Sequence, residues 1–99
     1  MDFEYDPQKS ASNRDRHGID FVEAQRLWKA PHAIVPAGSV RGEAREAALG
    51  KIDGELYLAI FTRREHRIRL ISCHRADGKW EDIYEVSIDQ KNEKEDYRG

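Results

Sequence analysis

Apolar residues fall in short, separated runs along this chain, and their spacing changes character from one run to the next. Phe3-Glu4-Tyr5 alternates apolar and polar side chains, the period of a short edge strand. Asp6-Pro7 then reads as the N-cap and first position of a helix, which should end at His17 with Gly18 as a left-handed C-cap. Between Pro7 and His17 the only aliphatic residue is Ala11, so this helix has no apolar face to bury. Lys9, Asn13 and Arg16/His17 follow one another at helical spacing and share one side. Asp20-x-x-Glu23 is a variant capping box, with Ile19 placed to staple against Ala24. Phe21, Ala24, Leu27 and Trp28 give the second helix a core face, and it should run through Trp28 and stop before Pro31.

Beyond Pro31 the period shortens. Ile34-Val35 suggests a short strand, and Pro36, Gly38 and Gly42 predict a loop between Pro36 and Gly42. Residues 44–52 lead into Asp53-Gly54, a type I′ hairpin signal. Leu56 to Phe61 is apolar at nearly every position, as a central strand covered on both faces must be. Arg64-Glu65 marks the next turn, and residues 67–74 return antiparallel. Trp80, Ile83 and Tyr84 recur at helical spacing. The pattern predicts an α+β domain over residues 1–88: two N-terminal helices, an antiparallel β-meander of about four strands and a closing C-terminal helix. Residues 89–99 are almost devoid of apolar side chains and predict a disordered charged tail.

Charge changes this picture in one place. The 99 residues carry a net charge of −2, which argues against non-specific coating of nucleic acid. Residues 41–75 nevertheless hold 8 basic and 5 acidic side chains, whereas residues 76–99 hold 4 and 8. Arg63, Arg64, Arg67, Arg69 and Arg75 crowd into the last predicted hairpin with His66 and His74. Arginine offers a planar fork of donors that fits phosphate oxygens, so a directed anion site is one reading. A solvated strand face with carboxylate partners elsewhere is the plainer one, and the segment alone does not separate them. The single Cys73 cannot form an internal disulfide. With no long apolar run and no basic, apolar leader, the chain reads as cytoplasmic and free of the membrane.

The order Phe3-Glu-Tyr-Asp6-x-x-Lys9-x-x-x-Asn13-x-x-x-His17-Gly-Ile-x-Phe21-x-Glu-Ala24 resembles the opening of BrnT-type toxins. Gly42-Glu-x-Arg45 with Leu49-Gly50, Thr62-x-Arg64 and Arg67-Ile-x-Leu-Ile-Ser72 are similar to that family's middle and last strands. The resemblance implies a RelE-like fold and metal-independent RNA cleavage that inhibits translation. It also implies a BrnA-like ribbon-helix-helix antitoxin, with which the toxin forms a heterotetramer that represses its own operon, so that operator DNA is met only through the antitoxin. Two positions depart from the pattern. His74 stands where the family usually has Arg, and Trp80 where it usually has Glu. A catalytically weak binding module that assembles with the antitoxin to co-repress transcription is therefore the alternative.

Metal-free cleavage requires a base for the 2′-OH, an acid for the leaving 5′-oxygen and cations for the charged transition state. Lys9, His17, Arg45, Arg64 and His74 are the catalytic candidates; Arg67, Arg69 and Asn13 are the substrate-binding candidates. Lys9 and Arg45 sit in the best-matching motifs. His17 has a structural alternative, since a histidine in a last helical turn suits the helix dipole. His66 reads as a turn residue, and Glu43, beside Arg41 and Arg45, as a salt-bridge partner before a base. No cofactor is called for. Cys73 and His74 are adjacent on a strand, point to opposite faces and have no paired ligand motif, so no metal site is expected.

Overall fold

In a computed structural model, residues 2–96 are described, with side chains for residues 2–90. The elements are β1 (Asp2–Glu4), α1 (Pro7–His17), α2 (Phe21–Ala24) running into a 3-10 turn (Gln25–Lys29), β2 (His32–Val40), β3 (Glu43–Ile52), β4 (Glu55–Arg64), β5 (Arg67–Arg75) and α3 (Lys79–Asp96). The caps of α1 follow the sequence. Asp6 Oδ1 accepts from Gln8 N at 2.9 Å, Pro7 opens the helix, and Gly18 closes it at φ 75°. Arg14, Arg16 and His17 fill the last turn, where the helix dipole favours positive charge. Asp20 Oδ1 likewise accepts from Glu23 N at 2.8 Å. The second helix is not α throughout as expected. After Ala24 it tightens to 3-10, and Ala30, restricted by the following Pro31, is extended at φ −124°.

The five strands form one sheet in the order β1-β5-β4-β3-β2. β2 to β5 make the predicted antiparallel meander, but β1 joins β5 in parallel, Phe3 opposite Ile68, so the sheet is mixed. Alternation in residues 3–5 announces a strand without naming its partner or direction. The Asp53-Gly54 turn has φ 52° and 83°, as a type I′ turn requires. Two other turns correct the sequence reading. β2 does not end in a loop at Pro36; it continues to Val40 with a register shift between Pro36 and Ser39, and the turn is confined to Arg41-Gly42. Proline is tolerated there because β2 is an edge strand. The β4–β5 turn falls at Glu65-His66, one residue later than predicted, with Glu65 at φ 56°.

Each face of the sheet has its own core. On one, Ile19, Phe21, Ala24 and Leu27 pack on Ala48, Ile52, Ala59, Phe61, Ile68, Leu70 and Cys73. Trp28 bridges Phe3 and Phe61 edge-to-face, with ring centroids 5.1 and 5.2 Å away. Gly50 lets the 3-10 turn close on β3, because a Cβ there would lie 3.0 Å from Leu27 Cδ2. On the opposite face, Trp80, Tyr84 and Ile88 of α3 cover Ala33, Ala47, Leu49, Leu56 and Leu58. β4 feeds both cores, as its unbroken apolar run predicts. α3 continues to Asp96, beyond Asp89 where composition predicts a disordered tail; no glycine or proline interrupts residues 79–96. Residues 97–99 lie outside the described residues. α3 lies mainly against β2 and β3 and also packs on Leu56 and Leu58 of β4, whereas among the described residues none of β5 joins this core. Among the described residues, no helix is long and apolar enough to cross a membrane.

Candidate functional site

β1 ends at Glu4, opposite Arg69, so the rest of β5 has no strand on that side. The polar helix α1 takes the vacant place. Asn13 Nδ2 donates to Cys73 O at 2.7 Å and to Ile19 O at 2.7 Å, and Asn13 Oδ1 accepts from Cys73 N at 3.2 Å. Ser10 Oγ accepts from Phe21 N at 2.9 Å and ties α1 to α2. These two buried polar residues replace an apolar docking face, which explains why α1 carries almost no aliphatic residue.

The side of α1 next to this seam remains open. Lys9, Ser12, Arg16 and His17 line a cleft of roughly 340 Å³, with Asn13 at its base and Ile71 and Ser72 of β5 opposite. A bulge shapes the strand wall: Phe61 pairs with Leu70 and Ile60 with Ser72, so Ile71 is the extra residue. Register places Ser72 opposite Ile60 and His74 opposite Leu58, on the face that α3 partly covers. His17 meets His74 at this mouth, with ring centroids 5.6 Å apart and planes inclined by 46°. His74 Nδ1 is 2.9 Å from Arg75 O. A carbonyl oxygen only accepts, so Nδ1 carries the proton of that bond and Nε2 of the neutral ring is left as a base.

The arginines divide between the two faces. Arg63 forks onto Glu46 at 2.6 Å over the Phe61 ring, and this carboxylate raises the guanidinium pKa. Arg75 pairs with Glu55 at 3.4 Å. Alternation puts Arg45, Arg64, Arg67 and Arg69 on the cleft's face instead. Arg67 and Arg69 approach the Glu4 carboxylate only loosely, at 3.9 and 3.8 Å. Arg64 pairs with Glu43 at 3.3 Å. Arg45 has a buried Nε with no hydrogen-bond partner. Cys73 turns to the other side, into the core, where burial pushes its thiol up to about 12; it is no nucleophile. Among the described residues, no three His, Cys, Asp or Glu side chains are grouped as a metal site would need.

Residues 5–79 match the family described as "Ribonuclease toxin, BrnT, of type II toxin-antitoxin system". The chain belongs to the BrnT family. Comparisons with curated proteins and with solved structures gave no match. Membership of the BrnT family makes this a ribonuclease toxin family member, with an antitoxin partner and an RNA target implied by the type II system. The matched segment leaves out Glu4 and all of α3 after Lys79, including Trp80.

Of the residues the sequence singled out, the structure brings Lys9 and His17 to one cleft, with the His74 ring against that of His17 at its mouth. Arg67 and Arg69 stand beside it on the same sheet face, and Arg45 and Arg64 lie farther across that face. Asn13 lies at the base of the cleft, and its amide bonds the backbone of Ile19 and Cys73, which holds α1 in place. His66 is indeed in a turn, beside a separate hollow of about 160 Å³. Sequence reasoning missed Ser12, Ser72 and Glu4. Helical spacing from Lys9 would have found Ser12, but the bulge that exposes Ser72 has no sequence signal, and Glu4 needed the parallel pairing of β1.

Proposed function

We propose that this BrnT-family chain is a metal-independent endoribonuclease on a RelE-like scaffold, acting in the cleft between α1 and β5 and thereby inhibiting translation in the cytoplasm. The observation that carries this reading is the meeting of His17 and His74 beside Lys9 and Arg16. The 2′-oxygen attacks the adjacent phosphorus while neutral His74 takes its proton at Nε2. The bond from phosphorus to the 5′-oxygen breaks, and His17, at a helix end where a positive ring suits the dipole, protonates that leaving oxygen. The products are a 2′,3′-cyclic phosphate and a 5′-hydroxyl. Lys9 and Arg16 offset the charge that builds on the non-bridging oxygens. A BrnA-like ribbon-helix-helix antitoxin covers the toxin and carries the pair to operator DNA.

A catalytically weak co-repressor is the second reading, favoured by one observation: Trp80, where the family usually has Glu, packs with the α3 core and can serve neither as acid nor as base. Induced expression without antitoxin separates the two. Growth arrest with loss of bulk RNA supports the enzyme; undisturbed growth and RNA, with folded protein accumulating, supports the binding module.

A further inference from the structure

His17 and His74 come from different elements, the last turn of α1 and the far end of β5, yet their ring centroids are 5.6 Å apart. Two imidazoles bound to one metal ion stand at much the same spacing. A Zn–N bond of about 2.0–2.1 Å puts each ring centroid about 3.2 Å from the metal, so a tetrahedral angle sets the centroids about 5.2 Å apart. The spacing in this chain needs only a slightly wider angle, or a small turn of one ring.

The nitrogens are available. His74 Nδ1 is tied to Arg75 O at 2.9 Å, which leaves the lone pair of Nε2 for another partner. A backbone carbonyl on the remote N–H is also the usual support of a metal-ligating histidine, because it fixes the tautomer and raises the basicity of the other nitrogen. His17 is exposed, and apart from its contact with His74 its ring has no partner among the described residues, so it can turn toward the same point.

The cleft selects the kind of ion. Its lining residues include no carboxylate, whereas Mg²⁺ and Ca²⁺ depend on oxygen ligands. Lys9 and Arg16 line it and oppose every dication, so only a metal with a real preference for imidazole gains enough, and Zn²⁺ is of that kind. No third His, Cys, Asp or Glu is grouped with the pair among the described residues. Water then fills the remaining positions, and the ion exchanges freely instead of residing as a cofactor.

We propose that His17 and His74 form a two-imidazole site for a divalent transition metal of the Zn²⁺ type. Its consequence rests on the reading of this pair as the acid and base of RNA cleavage: a metal on both rings takes the lone pair that accepts the proton of the 2′-oxygen and displaces the proton owed to the leaving oxygen. Zn²⁺ is then an inhibitor of a reaction that needs no metal.

The test is calorimetric titration of the whole protein with Zn²⁺ and with Mg²⁺, beside its His17→Gln, His74→Arg and His66→Gln variants, folding being checked by circular dichroism. The parent should bind one Zn²⁺ per chain and no Mg²⁺. Loss of either ligand should weaken Zn²⁺ binding by at least the roughly 10–100-fold that loss of a supporting hydrogen bond costs, and His66→Gln should leave it unchanged. In the parent alone, Zn²⁺ should shift the imidazole NMR signals of His17 and His74 and of no other histidine, which needs no variant to fold. No Zn²⁺ bound by the parent, binding that survives His17→Gln or His74→Arg, binding lost in His66→Gln, or signals moved only at other histidines overturns the site. RNA cleavage with and without Zn²⁺ is scored separately: Zn²⁺ held by the pair while cleavage proceeds undisturbed leaves the site standing and removes both histidines from the chemistry.

Discussion

The side chain of Asn13 stands in for a missing β-strand beside Cys73. It donates to the Cys73 carbonyl at 2.7 Å and accepts from the Cys73 amide at 3.2 Å, the two bonds a neighbouring strand would supply. The same nitrogen also holds Ile19 O at 2.7 Å. One residue thus seals the sheet edge, fixes the α1–α2 corner and sets where Lys9 and His17 stand.

Asn13→Ala should therefore be among the most damaging single substitutions in α1. It strands two carbonyls and one amide in a buried seam, a cost of about 3 kcal/mol, and should lower the melting temperature by on the order of 15 °C. Asn13→Asp should be as harmful, since a carboxylate cannot donate to either carbonyl. Thermal melts of both variants against Ser12→Ala, which removes only a cleft side chain, check the assignment.

Cys73 makes the fold sensitive to alkali. Its thiol is raised from an ordinary 9.0 to about 12, chiefly by burial. Well below pH 9 the thiol is protonated in folded and unfolded chains alike. As pH rises above that, the unfolded chain ionises and the folded one does not, so stability falls until the folded value is reached. Urea midpoints from about pH 8 to about pH 11 should decline less steeply in Cys73→Ala than in the parent. Parallel declines would show that the thiol contributes nothing to the alkaline limb.

Glu4 holds Arg67 and Arg69 so loosely that stability should hardly notice its loss: Glu4→Gln is expected to change it by less than about 0.5 kcal/mol. RNA affinity should rise, because both guanidinium groups are released. Conversely, replacing Arg67 and Arg69 together by Ala should lower the salt slope of RNA binding by somewhat more than one unit, about 0.7 for each contact. An unchanged slope with weaker antitoxin binding would make these arginines partner contacts.

His74→Arg tests the departure from the family pattern. The side chain stays on the cleft face, opposite Leu58, but the base at Nε2 is lost. Growth inhibition should fall if His74 is the base used by this chain. A gain in toxicity would mean that histidine is a weakening replacement for arginine.

Much of this was legible because local chemistry decided it. Asp6, Pro7 and Gly18 bound α1, Asp20 caps α2, and Asp53-Gly54 makes its hairpin. The helical spacing of Lys9 and His17 gave one wall of the cleft. What sequence did not disclose depends on neighbours that only the fold supplies. Pro36 reads as a strand breaker until β2 is known to be an edge. Ile71 looks like any strand residue until the bulge throws Ser72 and His74 onto the face that α3 partly covers, where His74 meets His17. Asn13 reads as a substrate ligand because it lies on the polar side of α1, and only the unpaired edge of β5 gives it another task.

Metal-independent catalysis is tested by cleavage of a defined RNA oligonucleotide with the purified protein, freed of antitoxin, in excess EDTA. Fragments ending in 2′,3′-cyclic phosphate and 5′-hydroxyl are expected, and no cut where the 2′-hydroxyl at the scissile position is replaced by hydrogen. Replacing His17 by Gln should lower the rate about 100-fold or more without moving the melting temperature. Cleavage that needs a divalent ion, that survives removal of the 2′-hydroxyl, or that is indifferent to His17 and Lys9 would contradict it.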